Sequence, residues 1–161
     1  MENRELFSGY GLSPIDGKGR VAIPPDLRST IEKNSEERIF FLAQDDSDPC
    51  LIGYDLGWQR HLAVEIKNDE DAERVAGRQF DRKNSGRRAF SIAERTPFDN
   101  SGRFVLSGYL REEFHFGEVA FFNGVGSVFE IWQPQTLLAA PNVDDRLKRA
   151  CEWLMKQRGL L

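Results

Sequence analysis

The sequence predicts an α+β fold in which one unit is used twice, and three observations carry that prediction. A motif that begins at Ser13 returns 83 residues later. Each copy is followed by the same succession of short strand, short helix and two-strand hairpin. The length of 161 residues and hydrophobic fraction of 40% suit one globular domain or two tightly joined halves.

The repeat places S-P-I-D-G-K-G-R-V-A-I-P-P-D-L-R, from Ser13, over T-P-F-D-N-S-G-R-F-V-L-S-G-Y-L-R, from Thr96. Identities fall at Pro14/Pro97, Asp16/Asp99, Gly19/Gly102, Arg20/Arg103, Leu27/Leu110 and Arg28/Arg111. Apolar residues keep the same register at Ile15/Phe98, Val21/Phe104, Ile23/Leu106 and Ile31/Phe114. Further on, Phe40 and Phe41 are answered by Phe121 and Phe122, and residues 51–54 by residues 129–132.

Taken in order, residues 7–15 and 89–98 read as extended segments that run into an Asp-started, Gly-containing turn. Residues 21–23 and 104–106 are short apolar strands. In the first half Pro25 and Asp26 suit a helix start, and Leu27 and Ile31 form an apolar stripe that Leu110 and Phe114 repeat. Hairpins are expected from residues 38–43 with 50–54 and from 118–123 with 127–132, the second opening its connection at Asn123-Gly124. Between the halves, Trp58, Leu62 and Ile66 share a helical face, and residues 69–83 form a second helical stretch. After Pro141, Asn142 is placed to cap a helix with Val143, Leu147, Ala150, Cys151 and Leu154 on its apolar side. These elements divide the chain into a first repeat at 7–57, a helical connection at 58–85, a second repeat at 86–135 and a C-terminal helix at 141–161.

Composition narrows the function. With 12 Phe, 3 Trp and 30% charged residues, the chain is neither disordered nor fibrous in type. No stretch approaches the roughly 18 apolar residues that cross a bilayer, and the opening M-E-N-R-E-L-F-S-G-Y has charges where a signal peptide keeps its apolar core. A cytoplasmic protein without a membrane partner is expected. Cys50 and Cys151, two thiols far apart in sequence, read as packing residues and suggest neither a disulfide framework nor a metal site. The net charge of −4 argues against indiscriminate coating of nucleic acid. That average conceals a gradient: residues 1–73 hold 16 acidic and 8 basic groups, whereas residues 74–111 hold 3 acidic and 9 basic.

The twice-used pattern Asp-x-x-x-Arg, with Gly before the Arg, is the strongest candidate site. Asp16 and Asp99 are turn-forming carboxylates, and Gly19 and Gly102 supply the positive φ of a tight connection. Arg20 and Arg103 are either latched onto their own aspartates or available to phosphate or guanine as a bidentate donor.

The run D-G-K-G-R-V-A-I-P-P-D-L-R, followed by D-N-S-G-R and a second L-R, resembles the MraZ family of bacterial transcriptional regulators over roughly residues 7–135. The resemblance implies a duplicated AbrB-like swapped-hairpin β-barrel with short helices and a C-terminal helix. It also implies sequence-specific binding of double-stranded DNA, usually as a repressor of the division and cell-wall gene cluster that includes its own promoter. The expected form is a nucleoid-associated ring of about eight or more subunits acting on promoter direct repeats, with no cofactor and no metal. Carried over residue by residue, Arg20 and Arg103 are the leading DNA contacts, with Lys18 beside the first. Ser101 replaces Lys18 in the second loop and Ser107 replaces Pro24, so the second loop is one charge poorer and its helix entry less constrained.

Secondary basic candidates are Arg28 and Arg111, which close the two motifs, and Arg74, Arg78 and Arg82 at i, i+4, i+8. The last three also suit a solvated face or a subunit contact, with Asp69, Glu70 and Asp71 as acidic partners. Two other classes compete. A protein-binding, antitoxin-like module usually carries one hairpin copy and a disordered tail, unlike the two copies and helical tail here. An enzyme is the weaker rival: His61 and His115 are the only histidines, and neither G-x-x-x-x-G-K-[ST] nor G-x-S-x-G occurs.

Overall fold

A computed structural model describes residues 3–161, so the first two residues of the charged opening segment lie outside the described residues. The first half contributes β1 (Tyr10–Pro14), β2 (Arg20–Ala22), α1 (Pro25–Asn34), β3 (Ile39–Gln44) and β4 (Leu51–Tyr54). The second contributes β5 (Glu94–Pro97), β6 (Arg103–Val105), α4 (Gly108–Glu113), β7 (Val119–Gly124) and β8 (Phe129–Trp132). Between them lie α2 (Leu56–Val75) and α3 (Arg82–Gly86), and after them α5 (Pro134–Ala139) and α6 (Asp145–Gln157).

The halves exchange strands. β1 pairs antiparallel with β7 of the other half, and β5 pairs with β3, giving a six-stranded sheet in the order β1-β7-β8-β4-β3-β5. Interchanging the two halves reverses that order into itself, which is the pseudo-twofold symmetry expected from the repeat. β2 and β6 pair with each other as a two-stranded ribbon, and an Ile15–Val21 bridge ties β2 back to the end of β1. This is a mixed α+β, swapped-hairpin arrangement, but the edge strands β1 and β5 do not pair among the described residues. The strands form a six-stranded sheet plus a ribbon that the Asp16 N–H to Arg20 carbonyl and Asp99 N–H to Arg103 carbonyl bonds join to the ends of β1 and β5, in keeping with the swapped-hairpin fold expected.

Packing explains the strand patterns. β3 is apolar and buried from Ile39 to Ala43, before Gln44 ends it, because both its faces are covered. Phe40 and Leu42 face a core that includes Val21, Phe104, Phe122 and Phe129, while Phe41 and Ala43 face Tyr54, Trp58 and Leu62. The ribbon and the stripes of α1 and α4 thus cover one side of the sheet. On the other side α2 covers one end, and α5 and α6 cover the other through Leu137, Cys151 and Met155. Both cysteines are buried.

Several expectations are corrected. Ile39 pairs with Pro97 as Val119 pairs with Pro14, so Phe41 corresponds to Phe121 and Phe40 to Ala120. The expected match of Phe40 and Phe41 to Phe121 and Phe122 is therefore one residue out, which places each ring on the wrong face. The second hairpin does not turn at Asn123-Gly124. Asn123 is buried in β7, and the turn closes through the Val125 N–H to the Val128 carbonyl, with Gly126 at φ 92°. The tail helix is capped by Asp144, which accepts from the Arg146 N–H, and not by Asn142. Ser107, far from loosening the α4 entry, caps it by accepting from the Leu110 N–H.

The helical connection also differs. α2 begins at an Asp55 cap and ends just before Gly77, whose φ of 73° is the left-handed geometry that terminates helices. After α3, a π-helical turn at Arg87–Ser91 occupies the start of the extended segment expected at residues 89–98, so β5 begins only at Glu94. Asp55, fully buried, holds the start of α2 together with Arg4, whose guanidinium lies 2.6 Å from its carboxylate, and with the Asn34 amide at 2.9 Å.

Candidate nucleic-acid interface

Each repeated turn is closed by its aspartate. Asp16 Oδ1 accepts from the Lys18 and Arg20 backbone N–H groups at 2.9 and 2.8 Å, and Oδ2 accepts from Arg20 Nε at 2.6 Å. Asp99 repeats the set, accepting from the Ser101 and Arg103 N–H groups at 2.9 Å and from Arg103 Nε at 3.1 Å. Gly19 and Gly102 lie at φ 81° and 80°, the conformation each motif requires of its glycine. The Arg20 backbone and side-chain donors hold the Asp16 carboxyl down at about 2, and the Arg103 backbone N–H likewise lowers Asp99.

Latching and availability are therefore compatible. Among the described residues each guanidinium is held through Nε, and Arg20 and Arg103 remain 51% and 57% exposed. Their terminal amino groups are still free to donate. The loop bonds stiffen the arginine stems at small cost to their reach.

The ribbon brings the two motifs together. Arg20 stands opposite Val105, Val21 opposite Phe104, and Ala22 opposite Arg103. Side chains opposite one another in an antiparallel pair share a face. Val21 and Phe104 therefore point into the core, where both are buried, and Arg20, Ala22, Arg103 and Val105 share the outward face. Strand geometry separates the two arginine Cα atoms by about 8 Å along the diagonal of this face.

Each loop leans on the opposite half. The Leu106 N–H donates to the Gly19 carbonyl, and the Ile23 N–H to the Gly102 carbonyl. Arg111 lies under Gly19 and donates from Nε to the Leu106 carbonyl at 3.0 Å, while Arg28 lies under Gly102. Arg28 and Arg111, half-buried, thus support the loops from behind. Lys18 is exposed at the tip of the first loop, and Ser101 at that of the second.

The remaining basic candidates do not join this face. The helix stops between Arg74 and Arg78, so the i, i+4, i+8 stripe is broken. Arg74 pairs with Glu70 and Asp71, Arg78 with Glu73, and Arg82 with Glu70. His61 pairs with Glu65 on α2, and His115 closes α4 at φ 57°. Sequence reasoning missed Ala22 and Val105 as members of the outward face, because their placement depends on strand pairing across 83 residues.

Among the described residues no helix is long and apolar enough to cross a membrane. No protein-family model matches the chain. Individual relatives do. It is 30% identical over 137 residues to a transcriptional regulator MraZ of Rhodospirillum rubrum, covering 83% of each chain. It is 27% identical over 155 residues to that of Syntrophobacter fumaroxidans, covering 94% of this chain and 95% of the relative. With that of a Ruegeria species it shares 31% over 140 residues, covering 81% of this chain and 78% of the relative. Relatives so named match over about four fifths or more of this chain, and the chain belongs to the MraZ family.

Proposed function

We propose that this chain is a sequence-specific DNA-binding regulator of transcription whose reading head is the outward face of the β2–β6 ribbon. The observation that carries the proposal is the placement of Arg20 and Arg103 together on that face, each anchored by Nε and more than half exposed. A two-stranded ribbon fits the major groove, where arginine pairs bidentately with guanine O6 and N7. Relatives bearing the name transcriptional regulator support the same reading.

At −4 net charge, one copy gains little from phosphate neutralisation. A cyclic homo-oligomer of about eight or more copies supplies the missing affinity by effective concentration. The target is a set of direct repeats upstream of its own genes, in the division and cell-wall cluster, and the effect is repression. The protein works without cofactor or metal, in the cytoplasm on the nucleoid. A gel-shift titration against the DNA upstream of its own coding sequence, with random DNA as competitor, tests this function. Specific retardation that weakens steeply with salt is expected; equal competition by random DNA would refute sequence-specific regulation.

A further inference from the structure

The outward face of the ribbon is not symmetric, although the fold behind it is. Ala22 and Val105 occupy equivalent places, 83 residues apart, yet one carries a single methyl and the other a branched side chain. Val105 is 58% exposed, whereas its neighbours Phe104 and Leu106 are 2% and 0% exposed. An exposed β-branched residue between two guanidiniums contributes nothing to the core, which the opposite face of the strand already fills.

Val105 stands directly across from Arg20. Cross-strand Cβ atoms lie about 5 Å apart, and successive bases about 3.4 Å apart. A ribbon whose Arg20 engages a guanine therefore sets the Val105 methyl groups over the adjacent step. Of the groups displayed in the major groove, the thymine C5-methyl is the apolar one, and apolar side chains read it by contact. The Arg103 side has only Ala22 opposite, which is too short to make the same contact.

We propose that Val105 is a specificity-determining residue that reads the 5-methyl group of a thymine next to the guanine faced by Arg20. This rests on the DNA-binding function proposed above. It makes each subunit's reading head directional, with a guanidinium and an apolar contact at one end and a guanidinium alone at the other.

The test uses the full-length protein and its own upstream DNA, amplified either with thymidine or with deoxyuridine in its place. Deoxyuridine preserves pairing and phosphate charge and removes only the methyl. Wild-type protein is expected to bind the deoxyuridine probe about fourfold more weakly per thymine contacted, with an unchanged salt slope. Val105→Ala is expected to bind thymidine DNA more weakly, to be indifferent to the exchange, and to keep its thermal transition and oligomeric state. Wild-type protein indifferent to the exchange would overturn the role of Val105 while leaving DNA binding intact. A Val105→Ala variant that keeps the full deoxyuridine penalty, or loses its assembly without losing that penalty, would do the same. Failure to bind either probe above random DNA would instead refute the DNA-binding function itself.

Discussion

Arg111 packs beneath Gly19: a Cβ on that glycine would come within 3.0 Å of the Arg111 guanidinium carbon and 2.9 Å of the Leu106 carbonyl oxygen. Arg28 stands in the same relation to Gly102, so each half supports the loop of the other. Gly19→Ala and Gly102→Ala are expected to cost about 1–3 kcal/mol each, from positive φ and from the displaced support. Gly17, with nothing within 4 Å of a built Cβ, is the control, and its alanine variant is expected to stay within about 0.5 kcal/mol. Chemical denaturation of the three variants measures this; equal stability would mean that the crosswise packing is dispensable.

The loop carboxylates set a pH window. Asp16 falls from an ordinary 3.8 to about 2 on folding because the Arg20 backbone and side-chain donors stabilise its charged form. A depressed acid contributes stability that is complete above 3.8 and is lost as pH falls through about 2. Asp99 shifts in the same direction. Both loops should therefore stay latched throughout neutral and mildly acidic pH. Carboxyl NMR titration is the check, and an Asp16 midpoint at the ordinary value would contradict the latch.

DNA binding should depend unequally on the two arginines. Arg20 has Lys18 nearby on its loop, whereas Arg103 has Ser101. Replacing either arginine with alanine removes a bidentate donor worth about 1–3 kcal/mol of discrimination, and Arg20→Ala is expected to lose more. Arg20→Lys should not restore it, because an ammonium cannot offer the same fork. Lys18→Ala is expected to lower the salt slope by about one with little change in sequence preference. Gel-shift isotherms at several salt concentrations separate these effects. If binding is lost only together with the thermal transition, the arginines are structural latches alone.

Across the pseudo-twofold axis, Gly53 faces Phe129, and a Cβ at Gly53 would overlap the ring. Phe129 also touches Phe7, Phe40 and Phe122, with ring centroids 5.2, 5.7 and 6.3 Å away. It has no room to yield. Gly53→Ala is expected to cost about 1–3 kcal/mol or more by overpacking, and adding Phe129→Leu should recover part of that loss. Additive losses in the double variant would show that the two sites do not share this space.

Much of this was legible because the repeat preserves what is local. The Asp-x-x-x-Arg turns, the Leu27/Ile31 and Leu110 stripes and both hairpins depend on neighbours within a few residues, and all are found near their expected places. Strand exchange was not derivable from spacing, since pairing of β1 with β3 or with β7 satisfies the same local pattern. For the same reason the sequence showed two arginine loops but not that β2 and β6 place both on one face. The broken basic stripe had a local signal in Gly77, which the charge spacing of Arg74, Arg78 and Arg82 obscured.

The form of the DNA site follows from the proposed assembly. The chain satisfies its twofold pairing internally, because β1, β5 and the ribbon already join the halves. Further association must use other surfaces and is free to close as a ring. Light scattering should then report a particle larger than a dimer; a monomer at all accessible concentrations would refute the ring. Neighbours in a ring are related by rotation about its axis, so their ribbons present Arg20 and Arg103 in the same sense along the rim. A twofold dimer would read inverted repeats, whereas this rim reads direct ones. To face the rim from one side of the duplex, repeats must recur about every 10 to 10.5 bp. Inserting about 5 bp, half a turn, between two footprinted repeats is expected to abolish cooperative binding, and a full-turn insertion to restore it. A palindromic footprint indifferent to both insertions would mean that the DNA does not lie along the rim.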